Sequence, residues 1–241
     1  MKNSILASGG LVIGFNILES CKPASKQEML ARLKAWFNIN SYLKIGDNGV
    51  VTIYTPNPEF GQNVMTSMPM IVAEELDADW KMDMVEMAMH DPTKYPDAMF
   101  GQFTGGSRGI MSKWEPLRNA GAAAKQMLKE AAAQAWQVPA TEITTEAGVL
   151  KHEKSGKSAG YGEIAAAVAK IPVPEKPTLK EIKDFKLISQ SQKNVRGKEI
   201  VTGQRSHRIP AGAAEKGQGK PRRRKERLRP CPLRWGAGIG A

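Results

Sequence analysis

Glu59-Phe60-Gly61-Gln62-Asn63-Val64-Met65-Thr66, running on through Met68 to Glu75, is a glycine-bearing polar loop that opens onto an apolar helical stretch. Met68, Val72 and Leu76 recur at helical spacing and mark a face turned toward a core. A second loop of the same kind, Phe103-Thr104-Gly105-Gly106-Ser107-Arg108, leads into another helical stretch. A helix N-terminus offers unpaired N–H groups and the positive end of a dipole, which suits a phosphate. Glycine lets the backbone approach an anion closely, and Gln62 both donates and accepts hydrogen bonds. Two such loops predict a phosphorylated cofactor held from two sides. They also predict that Gly61–Gln62 and Gly105–Ser107 lie close together, each beside a helix N-terminus.

Outward from these loops, strands and helices alternate. Tyr42–Ile45 and Val50–Tyr54 flank Gly46-Asp47-Asn48-Gly49, a hairpin signature. Pro69 is compatible with the first long helix if its cap lies near Thr66 or Ser67. Met82–Met89 alternates as a strand, and His90–Gln102 reads as a loop in which His90 has no partner motif. Ser112-x-x-Glu115 resembles a capping box for a second long helix that ends near Trp136-Gln137, before Pro139. Within it, Gly121–Ala124 offers a small-residue face that another backbone can approach. Ile143–Thr145 and Val149–His152 around Gly148 read as a second hairpin, and Tyr161-Gly162-Glu163 opens a short helix through Ala169. The class is α+β: a mixed sheet with hairpins and two longer helices. The segments are 1–21, export signal-like; 22–39, a linker; 40–171, the folded domain; 172–204, a Pro-stiffened linker leading to a further segment; and 205–241, a basic tail.

Either glycine loop alone reads as an ordinary turn and cap. With their flanks, Trp114-Glu115-Pro116-Leu117-Arg118 and Ala120-Gly121-Ala122-Ala123-Ala124, they resemble the molybdopterin-binding large subunit of the xanthine dehydrogenase and aldehyde oxidase family, nearest the isoquinoline oxidoreductase beta-chain branch. The likeness runs from about Asn38 to Gln204 and covers the first part of a much longer family subunit, so residues 40–171 read as a partial molybdopterin-binding domain. The resemblance implies a molybdenum hydroxylase that oxidises N-heterocycles or aldehydes, with water as oxygen source. It also implies iron–sulfur clusters confined to a partner small subunit. Gly61, Gln62, Gly105, Gly106 and Ser107 are the implied cofactor contacts. Phe60 and Asn63 depart from the family's methionine and glycine, though asparagine tolerates left-handed geometry. The family's catalytic glutamate stands late, in a Gly-Glu context that Glu215 and Glu226 do not match. No catalytic residue and no metal ligand is therefore assigned.

Charge separates the tail from the body. Of a net charge of +11, eleven Lys or Arg against two Glu place nine charges in Arg205–Ala241, which leaves two for the remainder. The tail holds Pro221-Arg222-Arg223-Arg224-Lys225, lacks apolar periodicity and reads as disordered. Its abrupt start inside a family-like segment suggests an out-of-frame continuation, with a natural extension or a nucleic-acid tail as alternatives. Only Trp235 interleaves the basic residues, which argues against nucleic-acid binding.

At the other end, Lys2 and the apolar Ile5–Leu18 suit a secretory h-region better than a membrane span, and Leu18-Glu19-Ser20-Cys21 faintly resembles a lipoprotein box. The expected location is the periplasm or cell envelope, with membrane contact only through that segment. Cys21 and Cys231 form no Cys-x-x-Cys and imply no cluster. The leading expectation is a truncated hydroxylase subunit acting on a small-molecule substrate, inactive alone and a poor holder of its cofactor. A non-enzymatic periplasmic α+β binding module is the second.

Overall fold

The structure, a computed structural model, describes residues 26–81, 84–96 and 101–202. The signal-like segment 1–21 and the basic tail 205–241, with both cysteines, lie outside the described residues. A short helix α1 (Lys26–Arg32) precedes a four-stranded mixed sheet of β1 (Trp36–Asn40), β2 (Leu43–Gly46), β3 (Val51–Thr55) and β4 (Met84–Met87), in that spatial order. The first three strands are antiparallel and β4 runs parallel to β3, so α2 (Val64–Leu76) is the crossover between them. The expected hairpin closes at Gly46–Gly49, where the Asn48 carboxamide accepts the Val50 N–H at 3.1 Å. Leu43, Ile45, Val51 and Ile53 alternate onto the core face, and Lys44 lies on the other between the Trp36 and Tyr54 rings.

Helix α3 (Gly109–Trp136) spans 28 residues and packs on α2. The small-residue face works as expected. A Cβ at Gly121 would stand 2.5 Å from the Val72 carbonyl oxygen, so only glycine permits this approach. Beyond α3, β5 (Thr144–Glu146), β6 (Val149–His152) and β7 (Lys157–Gly160) form an antiparallel meander, followed by α4 (Tyr161–Val168). Tyr161 is fully buried and donates its hydroxyl to the Leu76 carbonyl at 2.6 Å, tying α4 to the end of α2.

Several expectations need correction. Strand β1 occupies the end of the segment read as a linker, because it pairs with β2 from Trp36 onward. Helix α2 starts at Val64 rather than near Thr66, so Pro69 lies inside it and costs only the bond to the Met65 carbonyl. Helix α3 starts at Gly109. Ser112 is therefore interior, and its hydroxyl donates back to the Gly109 carbonyl at 3.4 Å instead of capping.

The Pro-rich stretch after 172 is not a free spacer. Glu74, buried at the last turn of α2, accepts the N–H groups of Lys186 (3.0 Å), Leu187 (2.5 Å) and Ile188 (2.9 Å) and the Lys180 ammonium (2.9 Å). Glu75, fully buried, accepts the Arg118 Nε–H at 2.6 Å and the Lys180 N–H at 2.9 Å. Arg118 also donates to the Lys180 carbonyl at 2.6 Å and lies over the Trp114 and Phe185 rings. The Trp114–Arg118 run is thus a structural clamp between α3, α2 and the returning chain. The chain ends its described part in α5 (Gly197–Val201).

Burial raises the Glu74 pKa, but Lys180 and the three N–H donors outweigh it and hold it below the ordinary glutamate value. Replacing Glu74 by Gln should cost about 3 kcal/mol, read as a lower urea midpoint, because donors stay buried without an anion. A group titrating lower when folded stabilises fully above its unfolded value, about 4.3. The wild-type advantage over the Gln variant should therefore fade as pH falls through the folded value.

Candidate functional site

The two glycine loops lie side by side. Asn57 donates to the Phe103 carbonyl at 2.8 Å, Gln102 to the Pro56 carbonyl at 2.9 Å, and the Thr104 hydroxyl to the Pro58 carbonyl at 2.8 Å. Each loop runs straight into its helix, α2 at Val64 and α3 at Gly109. The helix starts meet: a Cβ on Gly109 would touch Met68, Asn57 and Val64 side chains at 3.8–3.9 Å. Gly61–Gln62 and Gly105–Ser107 therefore share one end of the fold, as the paired loop-then-helix pattern predicts.

Their exposure differs. Nothing lies within 4 Å of a Cβ built on Gly61, and the nearest atom to one on Gly106 is 4.0 Å away, so both present bare backbone to open space. Gly105 instead sits beneath the Phe103 ring, which a Cβ would strike at 2.5 Å. Gly106 and Ser107 both carry φ 57, and the Arg108 N–H closes the turn onto the Gly105 carbonyl at 3.1 Å. Phe60 and Phe103, one from each loop, are about half exposed at 55% and 47%.

Residue Glu59 went unassigned in the sequence and organises the first loop. Its carboxylate accepts the N–H groups of Gly61 (2.7 Å), Asn63 (3.0 Å) and Met65 (3.0 Å). Burial raises its pKa, but those three N–H donors and the charge of Arg196 bring it below the ordinary value. The anion position at the start of α2 is thus held by the chain's own side chain, and the Thr66 and Ser67 N–H groups turn to the Asn63 carbonyl. Asn63 itself is left-handed, with φ 67, the geometry its side chain tolerates. Gln62 folds back: it accepts the Phe60 N–H at 2.8 Å and donates to the Pro58 carbonyl at 2.9 Å. One hydrogen and one lone pair of its amide remain for other partners. At the junction of the loops, the Asn57 side-chain oxygen is buried with no partner among the described residues.

Residues 17–214 match the family described as the molybdopterin cofactor-binding domain. The chain belongs to that family. Among its relatives, the beta chain of isoquinoline 1-oxidoreductase from Brevundimonas diminuta is 41% identical over 138 residues, 56% of this chain and 17% of the relative. The second subunit type of nicotinate dehydrogenase from Pseudomonas putida is 27% identical over 155 residues, 64% of this chain and 13% of the relative. Quinoline 2-oxidoreductase from Pseudomonas putida 86 aligns with TM-score 0.39 and 20% identity, over 54% of this chain and 16% of that one. The chain thus spans less than a fifth of the length of the relatives it matches.

Among the described residues of this molybdopterin cofactor-binding domain, no group of three His, Cys, Asp or Glu could hold a metal ion. No helix among them is long and apolar enough to cross a membrane. His90 is exposed in its loop. His152, buried between Ser155 (2.7 Å) and Glu142 (2.9 Å), lies in the second sheet, at the end of β6. A carboxylate a few residues ahead of a helix start is a signal that could have marked Glu59. The orphaned Asn57 oxygen has no counterpart in sequence.

Replacing Glu59 by Gln should raise amide hydrogen exchange at Gly61, Asn63 and Met65 about tenfold, with the sheet unaffected. In the wild type the same amides should lose protection as pH falls through the lowered Glu59 value. Unchanged exchange at all three would show that the carboxylate does not hold the loop.

Proposed function

We propose that this chain supplies part of the cofactor contacts of a molybdenum hydroxylase large subunit, one that oxidises an N-heterocycle or an aldehyde. Membership of the family supports the reading. The single observation that carries it is the pair of tethered glycine loops at adjoining helix starts, with bare backbone at Gly61 and Gly106. The residues present fit a pterin. Gly61 and Gly106 admit close approach, and Phe60 and Phe103 offer apolar surface to a flat ring.

Their roles divide. Because Glu59 fills the start of α2, a phosphate belongs at the Gly105–Gly106–Ser107 turn, where α3 begins and Arg108 adds positive charge. Gln62 keeps one donor and one acceptor for the pterin while bracing its own loop. The bound cofactor would supply the redox centre for hydroxylation with water as oxygen source. Two relatives are named as single subunits of larger enzymes, which supports a partner subunit; an iron–sulfur partner taking the electrons completes the proposal. Placement in the periplasm or cell envelope rests on Lys2 and the apolar Ile5–Leu18 alone.

The chain purified from a host that makes the cofactor should carry substoichiometric molybdenum and pterin, and show no dye-linked oxidation. Gly106→Asp, which sets a carboxylate against a phosphate, should cut pterin retention at least tenfold, on the order of 1.4 kcal/mol. Pterin fluorescence equal in the two proteins would remove the turn from the site. Stoichiometric molybdenum with turnover would overturn the partial-site reading.

A further inference from the structure

Helix α3 carries its glycine loop at one end and, along its far half, a groove that the cofactor reading does not use. The groove has a volume of about 480 Å³ and its polar lining is Lys125, Gln126, Lys129 and Glu130 of α3 with Thr141, Thr178 and Lys180, Glu130 standing at the exposed rim. Lys125 and Lys129 stand one turn apart, so both project to the same side. Lys180 pairs with Asp77 at 2.6 Å and with Glu74 at 2.9 Å, and Lys125 reaches Asp77 at 3.5 Å. Asp77 also accepts the Thr145 hydroxyl at 2.7 Å.

Lys129 has no ion pair and no hydrogen bond among the described residues. Of the carboxylates nearby, Asp77 is engaged by Lys125, Lys180 and Thr145, Glu74 is saturated by Lys180 and backbone N–H donors, and the exposed Glu130 makes no ion pair with Lys129. Lys129 is therefore a half-buried cation without an ion-pair partner. Burial and the repulsion of Lys125 push its pKa below the ordinary lysine value, against the attraction of Asp77. A partly desolvated ammonium with no carboxylate in contact is unfavourable, and an anion seated on it would relieve the penalty.

We infer that this groove binds a small phosphate ester, with Lys125 and Lys129 on the phosphate and Gln126, Thr141 and Thr178 on its hydroxyls. Two point charges one turn apart suit a dianion. The volume falls in the range of small-molecule sites, about 300–1,000 Å³, and exceeds what a bare ion needs. No aromatic side chain lines it, so a flat heterocycle gains no stacking there. The site is separate from the glycine loops and does not depend on the cofactor reading.

The test uses the full chain with reductively ¹³C-methylated lysines, titrated with inorganic phosphate and with glucose 6-phosphate. The expected result is saturable shifts at Lys125 and Lys129, a raised Lys129 pKa on binding, and at least tenfold tighter binding of the ester. Lys129→Gln should weaken ester binding tenfold or more, Lys129→Arg should keep it, and the exposed Lys170→Gln should leave it unchanged. Equal unfolding midpoints without ligand would show that the variants fold alike. No shift with either ligand, equal loss in Lys129→Gln and Lys170→Gln, or equal affinity for free phosphate and ester would overturn the inference.

Discussion

Three carboxylates, Glu74, Glu75 and Asp77, crowd the C-terminal end of α2, where the helix dipole is least favourable to negative charge. Left alone they would fray the last turn. They are held because the chain brings Arg118, Lys125 and Lys180, with a run of backbone N–H groups, to the same point. Everything around them then has little freedom. The approach of α3 is fixed by Arg118 and by the absent side chain of Gly121, and the segment after Pro177 follows the surface of α2. Hydrogen bonds to a buried charge are stronger than neutral ones, and leaving any of them unmade is expensive.

The opposite end of α2 obeys the complementary rule. A carboxylate at a helix start is favoured by the dipole and by unpaired N–H groups, and Glu59 takes that place. The loop is therefore ordered before any ligand arrives, and little conformational entropy remains to be lost on binding. Bare backbone at Gly61 and Gly106 combined with an already shaped loop is the arrangement expected of a receiving surface. Under the proposed function it would form one face of a cofactor contact, the chain spanning a small part of its relatives.

Local chemistry was legible in the residues. The Gly46–Gly49 turn, the helical spacing of Met68, Val72 and Leu76 and the small face of α3 each follow from short-range rules, and each stands in the structure. Strand β1 was missed because Asn38 and Asn40 dilute its pattern, and β7 because Lys157–Gly160 offers only Ala159 to the core. The caps of both long helices were misplaced because backbone donors found other acceptors, Glu59 in one case and the Gly105 turn in the other. The stretch after Pro172 looked like a spacer because what anchors it is main-chain N–H, which every residue but proline carries and which leaves no trace in composition. At the site, the pairing of the loops could be read; the inward folding of Gln62 and the role of Glu59 could not, since both depend on distances across the loop.

The bonds from Glu74 to the chain at Ile188 join residues 114 apart in sequence. During synthesis at about 5–20 residues per second, that separation is an interval on the order of ten seconds. For that time α2 has left the ribosome with Glu74 unanswered, although Arg118 and Lys125 have already reached Glu75 and Asp77 with α3. During synthesis the Glu74 part of the clamp can therefore close only after the hairpin, the crossover and α3 have been made, because its donors are the last of these to leave the ribosome. A premature stop before Lys186 would release a body in which Glu74 has lost its backbone donors and the seam stays open.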